Sequence, residues 1–144
     1  MTVLLIAEDD QNVRAMFERI FRDAGFTVLT ETDGLAALHA IVRERPDVVL
    51  TDFDMPRLNG LELCRAIRGH HQLSDTPVAI ISGSLAPGDP RAVEAQLCAT
   101  LVKPFTREAL VAAVRRLVDG GRHHHDAEPS PCPAAQSPSG AARA

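Results

Sequence analysis

Five short apolar runs punctuate the first 102 residues of this chain: VLLIA (3–7), TVLT (27–30), DVVLT (47–51), PVAII (77–81) and ATLV (99–102). Longer stretches with apolar residues at helical spacing separate them, and this alternation is the pattern of a parallel sheet joined by crossover helices. Val13, Met16, Phe17, Ile20 and Phe21 fall at i, i+3, i+4, i+7 and i+8, which predicts one apolar stripe along a first helix that Gly25 ends. Leu35, Leu38, Ile41 and Val42 predict a second helix that stops before Pro46, and Leu63 with Ile67 a third. A short fourth helix follows the turn-rich SGSLAPGDP at 82–90. Thr106 is placed to cap a fifth, with Glu108 in its first turn and Leu110, Val114 and Leu117 facing inward. Five βα units thus fill residues 3–118 and define an α/β domain.

With 144 residues there is room for one such domain and a tail, but not for two domains. From Gly120 the sequence becomes GGRHHHDAEPSPCPAAQSPSGAARA, whose apolar surface is too small to offset the entropy of ordering it. The expected division is therefore a folded domain at 1–119 and a disordered tail at 120–144. His123, His124 and His125 in such a tail are expected to be solvated rather than to hold a metal. Cys64, Cys98 and Cys132 are odd in number and lack CxxC or Cys/His ligand spacing, which fits a reduced, cytoplasmic setting. A formal charge of -4 gives no basic field for nucleic acid. The apolar start TVLLIA has no cationic n-region before it, and no apolar run reaches the roughly 20 residues that span a bilayer.

In an open parallel sheet the loops at the carboxyl ends of the strands converge on one edge, and ligands bind there. The first strand ends in Glu8 and Asp9, the third in Asp52, the fourth in Ser82, and the fifth in Lys103 followed by Pro104. Taken singly, each has an ordinary explanation: a helix cap, a turn hydroxyl, a solvated lysine. Asp52 alone could be a nucleophile, a metal ligand or the first polar residue of a loop. Taken together they gather three acids, one hydroxyl and one amine at one edge. Two carboxylates about 5 Å apart repel by roughly 3 kcal/mol at an effective dielectric near 20. One lysine does not offset three acids, so either a proton is retained or a hard divalent cation enters, and oxygen donors with room for water suit Mg²⁺ better than zinc. Beside such a cation, Asp52 has an oxygen with which to attack phosphorus in line, Lys103 and Ser82 reach the other phosphoryl oxygens, and Gly83 leaves space for the group.

The segments LLIAEDDQNVR, DVVLTDFDMPRLNG, PVAIISG and LVKPF, in this order and spacing, resemble the receiver domain of two-component response regulators over residues 3 to about 118. The middle segment carries the family pattern at Asp52, Met55, Pro56 and Gly60. The resemblance implies a flavodoxin-like (βα)5 fold with strand order 2-1-3-4-5. It implies that Asp52 accepts a phosphoryl group from a histidine kinase or histidine phosphotransfer protein. Glu8, Asp9, Asp52 and the backbone carbonyl of Asp54 would then hold Mg²⁺, while Ser82 and Lys103 grip the phosphoryl oxygens. It also implies a cis peptide between Lys103 and Pro104.

One position departs from the pattern. Where the family commonly has a switch Tyr or Phe, three residues before the lysine, this chain has Thr100. The switch is then expected to run through Ser82 and its loop, with a muted or rewired output at the face of the fourth helix, fifth strand and fifth helix. That face is the expected contact for a downstream protein and leaves room for a homodimer, which nothing in the sequence requires. Neither a helix-turn-helix nor a second globular pattern follows residue 118, so the chain reads as a stand-alone receiver, not an enzyme, with no direct contact to nucleic acid or membrane. Two alternatives compete. The DxD at 52–54 also resembles aspartate-based phosphohydrolases of the haloacid dehalogenase type, but there the motif usually lies on the first strand, and Pro56 stands here where Thr or Val is preferred. The other is a receiver-like module that works without phosphorylation. A P-loop nucleotidase is excluded, because no GxxxxGK[ST] precedes VVLTD.

Overall fold

The computed structural model describes residues 2–85, 88–121, 123 and 125. Its elements are β1 (Val3–Ala7), α1 (Gln11–Asp23), β2 (Thr27–Glu31), α2 (Gly34–Glu44), β3 (Val48–Asp52), α3 (Gly60–Gly69), β4 (Val78–Ser82), α4 (Pro90–Glu94), β5 (Ala99–Val102) and α5 (Arg107–Gly120). The strands form one parallel sheet in the order β2-β1-β3-β4-β5, the order the resemblance implied. In register, Ala7 lies opposite Glu31 on one side and Thr51 on the other, and Asp52 lies opposite Ile81. The ends of β1 and β3 are therefore level.

Residues of β1, β3 and β4 are almost all buried, so the sheet needs cover on both faces. Leu4, Ile6, Val48, Leu50, Ala79 and Ile81 pack under Phe17, Ile20 and Phe21 of α1 and Leu110, Val114 and Leu117 of α5. On the other face Leu5, Ala7, Val49, Val78 and Ile80 meet α2, α3 and Ala92 of α4. Helix ends follow local chemistry. Asp10 caps α1 by accepting from the N–H groups of Asn12 and Val13, Asn59 and Glu62 form a capping box on α3, and Thr106 caps α5 through the Ala109 N–H. Gly25 ends the α1 region at φ +99, a conformation that L side chains rarely adopt.

Two helix faces differ from those the periodicity predicts. Met16 is 50% exposed, so the inward stripe of α1 narrows to Phe17, Ile20 and Phe21. In α2 the buried residues are Gly34, Ala37, Ala40 and Ile41, while Leu35 and Leu38 are half-buried and Val42 is 39% exposed. Small residues let this helix approach the sheet and α3 closely, so the contact surface is marked by lack of bulk rather than by apolar size. A Cβ at Gly34 would collide with the Leu58 carbonyl.

Most of the tail expected to be disordered, 126–144, lies outside the described residues, as does His124. Gly120 belongs to α5, and the two histidines described beyond it are not solvated as expected. His125 is 7% exposed, and its ring nitrogen Nδ1 lies 2.7 Å from the Ser74 carbonyl oxygen. Beyond α5 the rings of His123 and His125 lie beside Cys98, the residue before β5.

Candidate functional site

Neighbouring strands β1 and β3 lead into helices on opposite faces of the sheet, α1 on one and α3 on the other, so a crevice opens between their carboxyl ends. Glu8 follows β1 and Asp52 ends β3, so both enter this crevice, and Asp9 stands at its mouth. Carboxylate oxygens of Glu8, Asp9 and Asp52 all lie within 4.8 Å of one another. Lys103, which follows β5, places its ammonium nitrogen 3.7 Å from Asp52 Oδ1. Its backbone N–H donates to the Ser82 carbonyl at 3.0 Å, which ties the ends of β4 and β5 together, and the peptide from Lys103 to Pro104 is cis.

Glu8 is only 4% exposed. Burial pushes its carboxyl up from an ordinary 4.5 to about 7; the Asp10 N–H, at 3.1 Å from Oε2, opposes the rise, and the nearby Asp52 and Asp9 add to it. Asp52 is raised as well, chiefly by burial, against the pull of Lys103 and the Phe53 N–H, with Asp54 and Asp9 adding to the rise. Both carboxyls are therefore raised first by loss of solvation and only then by the neighbouring acids. Asp10 is not part of this group, since its carboxylate is committed to the cap of α1.

The loop after β3 is held by close backbone contacts. Gly60 N–H donates to the Phe53 carbonyl at 2.8 Å, and a Cβ at Gly60 would lie 2.6 Å from the Asp52 carbonyl oxygen. This contact gives a physical reason for the distance from Asp52 to Gly60: the first residue of α3 must pass over the end of β3 without a side chain. At its other end the loop meets Gly34, whose N–H faces the Pro56 carbonyl at 3.4 Å. Asp54 is exposed on this loop.

Ser82 is buried, and its Oγ accepts from the Ser84 and Leu85 N–H groups at 3.0 and 2.8 Å. Its hydroxyl is thus turned to its own loop, and among the described residues no hydrogen bond joins it to Asp52 or Lys103. A Cβ at Gly83 would meet open space. Thr100 is half-buried in β5 opposite Ile80. Two participants escape the sequence reading. Arg14, one turn into α1, donates to the Glu8 carbonyl at 3.0 Å and so braces the β1 exit. Arg91 of α4 lies over the Phe53 ring at 5.7 Å. Neither carries a residue-pattern signal, since Arg14 acts on a backbone carbonyl six residues earlier and Arg91 on a ring in the β3–α3 loop.

Comparison with known proteins bears on this geometry. The sequence profile described as "Response regulator receiver domain" matches residues 4–115. The transcriptional regulatory protein PrrA of Mycobacterium bovis is 38% identical over 116 residues, 80% of this chain and 49% of that protein. The response regulator MprA of Mycobacterium avium is 34% identical over 87% of this chain and 54% of its own length. The chain thus spans about half the length of the curated relatives it matches. Among solved structures, the chemotaxis response regulator CheY4 of Vibrio cholerae superposes with a TM-score of 0.75 at 30% identity, covering 81% of this chain and 98% of that one. The receiver domain of the sensor histidine kinase PA1611 from Pseudomonas aeruginosa, described with a magnesium ion coordinated in its active site cleft, gives 0.75 at 27% identity over 82% of this chain and 98% of its own.

Proposed function

This chain belongs to the response regulator receiver domain family, and from that premise we propose that it is the phosphoacceptor switch of a two-component phosphorelay with Asp52 as acceptor. Receiver domains are signalling switches rather than enzymes with a turning-over substrate. One observation carries the assignment: Glu8, Asp9 and Asp52 converge within 4.8 Å at the β1–β3 crevice, with the Lys103 ammonium 3.7 Å from Asp52. The Glu8 carboxyl is raised chiefly by burial, with Asp52 and Asp9 adding to the rise, and an all-oxygen donor set fits a hard cation. Glu8, Asp9, Asp52 and the Asp54 carbonyl would hold Mg²⁺, which when bound supplies charge for the phosphoryl oxygens.

The donor is a histidine kinase or a histidine phosphotransfer protein. An Asp52 carboxylate oxygen forms the bond to phosphorus, the P–N bond of the phosphohistidine breaks, and its electron pair stays on the imidazole nitrogen. Lys103, already paired with Asp52, passes to a phosphoryl oxygen. Ser82 donates its O–H to another; because its Oγ accepts from the Ser84 and Leu85 N–H groups, a shift of the hydroxyl toward the phosphoryl group draws the β4–α4 loop with it. The acyl phosphate carries about -1.5 to -2 charges where the Asp52 carboxylate carried one, so the edge gains up to about one negative charge and three phosphoryl oxygens. With Thr100 in place of a ring, the loop is the route to the α4, β5 and α5 face, where a downstream protein reads the state. Among the described residues no helix is long and apolar enough to cross a membrane. We assign the chain to the cytoplasm, with residues 1–119 as the switching unit.

Incubation with acetyl phosphate and Mg²⁺ tests this reading. Slow, stable labelling that Asp52→Ala removes supports the switch. No labelling identifies a module that works without phosphorylation, and rapid turnover of many phosphate esters identifies a phosphohydrolase.

A further inference from the structure

At the opposite edge of the sheet from Asp52, the residue before β5 meets the segment after α5. Cys98 is 2% exposed, and its Sγ lies 3.4 Å from His123 Nε2 and 3.6 Å from His125 Nε2. All three candidate ligand atoms fall within 4.8 Å of one another. We propose that Cys98, His123 and His125 form a zinc site, a second metal centre of this chain that is independent of the acidic crevice.

Three features carry the proposal beyond a hydrogen-bonded thiol. First, Zn–S of about 2.3 Å and Zn–N of about 2.0–2.1 Å at a tetrahedral angle put sulfur and nitrogen about 3.5 Å apart. Both observed separations match that edge. Second, the tautomers are set for ligation. His125 Nδ1 lies 2.7 Å from the Ser74 carbonyl oxygen and His123 Nδ1 3.1 Å from that of Gly121; a carbonyl only accepts, so each Nδ1 carries the proton and donates. In the neutral rings each Nε2 then presents its lone pair beside the sulfur, with the outer carbonyl contact that ligating histidines keep. Third, the site is anchored. The His123 N–H donates to the Asp75 carbonyl. Arg68 donates to Sγ at 3.3 Å while its other N–H groups bind the carbonyls of Gln96 and Thr76, which fixes the floor of the site.

A thiolate and two imidazoles are borderline-soft donors, which select Zn²⁺ over Mg²⁺. Three protein donors are the number in zinc sites that keep one position for an exchangeable ligand. Zinc bound there ties the exit of α5 to the entrance of β5 and to the α3–β4 loop, so the same domain would carry two ion sites of opposite chemistry at opposite edges of one sheet.

The test uses the full chain, reduced, in a Cys132→Ala background so that the tail thiol does not compete. One equivalent of Zn²⁺ should bind, and Co²⁺ in its place should give the near-ultraviolet charge-transfer absorption of a cobalt thiolate. Loss of an outer-shell partner typically weakens a metal site about 10- to 100-fold; Cys98→Ser and His125→Ala should cost at least that, and Cys98→Ser should abolish the charge-transfer band. His123→Ala, at the less buried of the two rings, should weaken binding with the fold intact by circular dichroism, and Asp52→Ala should leave the cobalt spectrum unchanged. Absence of stoichiometric Zn²⁺ binding overturns the proposal. So does Co²⁺ binding without a thiolate band, or a band that survives in Cys98→Ser or in His125→Ala.

Discussion

The two edges of the sheet set out different solutions to gathering polar groups. At the carboxyl edge, Glu8, Asp9, Asp52 and Lys103 each stand at the end of a strand, and the parallel order brings them together whatever the helices between them look like. At the amino edge, Cys98 meets His123 and His125, which follow α5 and belong to no strand end. The first edge is all oxygen and nitrogen with hard, charged donors; the second is sulfur and imidazole. The first depends on topology, the second on the path of one segment.

The sharpest way to break this comparison is to remove Asp52. Asp52→Asn should reduce acyl-phosphate labelling to background, a loss of at least two orders of magnitude expected when the nucleophile itself is deleted. It should leave the amino edge untouched; a change in the histidine proton resonances would show that the edges are coupled.

Next in size is the buried acid. Below an ordinary 4.5, Glu8 is protonated folded and unfolded alike, and it contributes no pH dependence. From there to about 7 the unfolded chain has released the proton that the folded chain still holds, so stability falls as pH rises, and above about 7 the full penalty is present. At about 1.4 kcal/mol per unit of displacement, this is up to about 3 kcal/mol. Glu8→Gln should therefore raise the stability of the metal-free protein at pH 8 by up to about 3 kcal/mol and flatten its decline between pH 4.5 and 7 in urea titrations. The same variant should weaken stabilisation by Mg²⁺, and equal Mg²⁺ stabilisation in both proteins would remove Glu8 from the ion site.

A smaller effect tests the contact beneath the acceptor. Gly60→Ala places a Cβ against the Asp52 carbonyl oxygen and should destabilise the domain by about 2 kcal/mol, within the range for overpacking. Its labelling rate should also fall, since the Asp52 backbone must shift. The smallest is Thr106→Ala, which removes the α5 cap and should cost about 1 kcal/mol in chemical denaturation without changing labelling. A labelling defect there would mean that α5 and the acceptor edge are not separable.

These two edges also mark how far the sequence can be read. The bounds of β1 and β5 match the apolar runs, β2 extends its run by one residue, and β3 and β4 are each shifted by one residue toward the carboxyl end. Strand ends are legible because an apolar run that stops at a carboxylate is a local event. The buried face of α2 is not, since Gly34, Ala37 and Ala40 carry little apolar weight and are selected by the closeness of α3 and the sheet. Nor is the approach of His125 to Cys98, 27 residues away, for which the sequence offers no ligand spacing. The orientation of the Ser82 hydroxyl is equally hidden, because it is decided by the N–H groups of a loop whose course the sequence leaves open.

The glycine contacts flanking the β3–α3 loop have a mechanical consequence. With Gly60 pressed on the Asp52 carbonyl and Gly34 against that of Leu58, this loop is wedged between two helix starts and has no slack. The loop after β4 is built differently: Gly83 and Gly88 are exposed and have open space around their Cα atoms. If Asp52 is the acceptor, as we propose, a displacement that starts there meets backbone at once on the β3–α3 side and open space at Gly83 and Gly88 on the β4–α4 side.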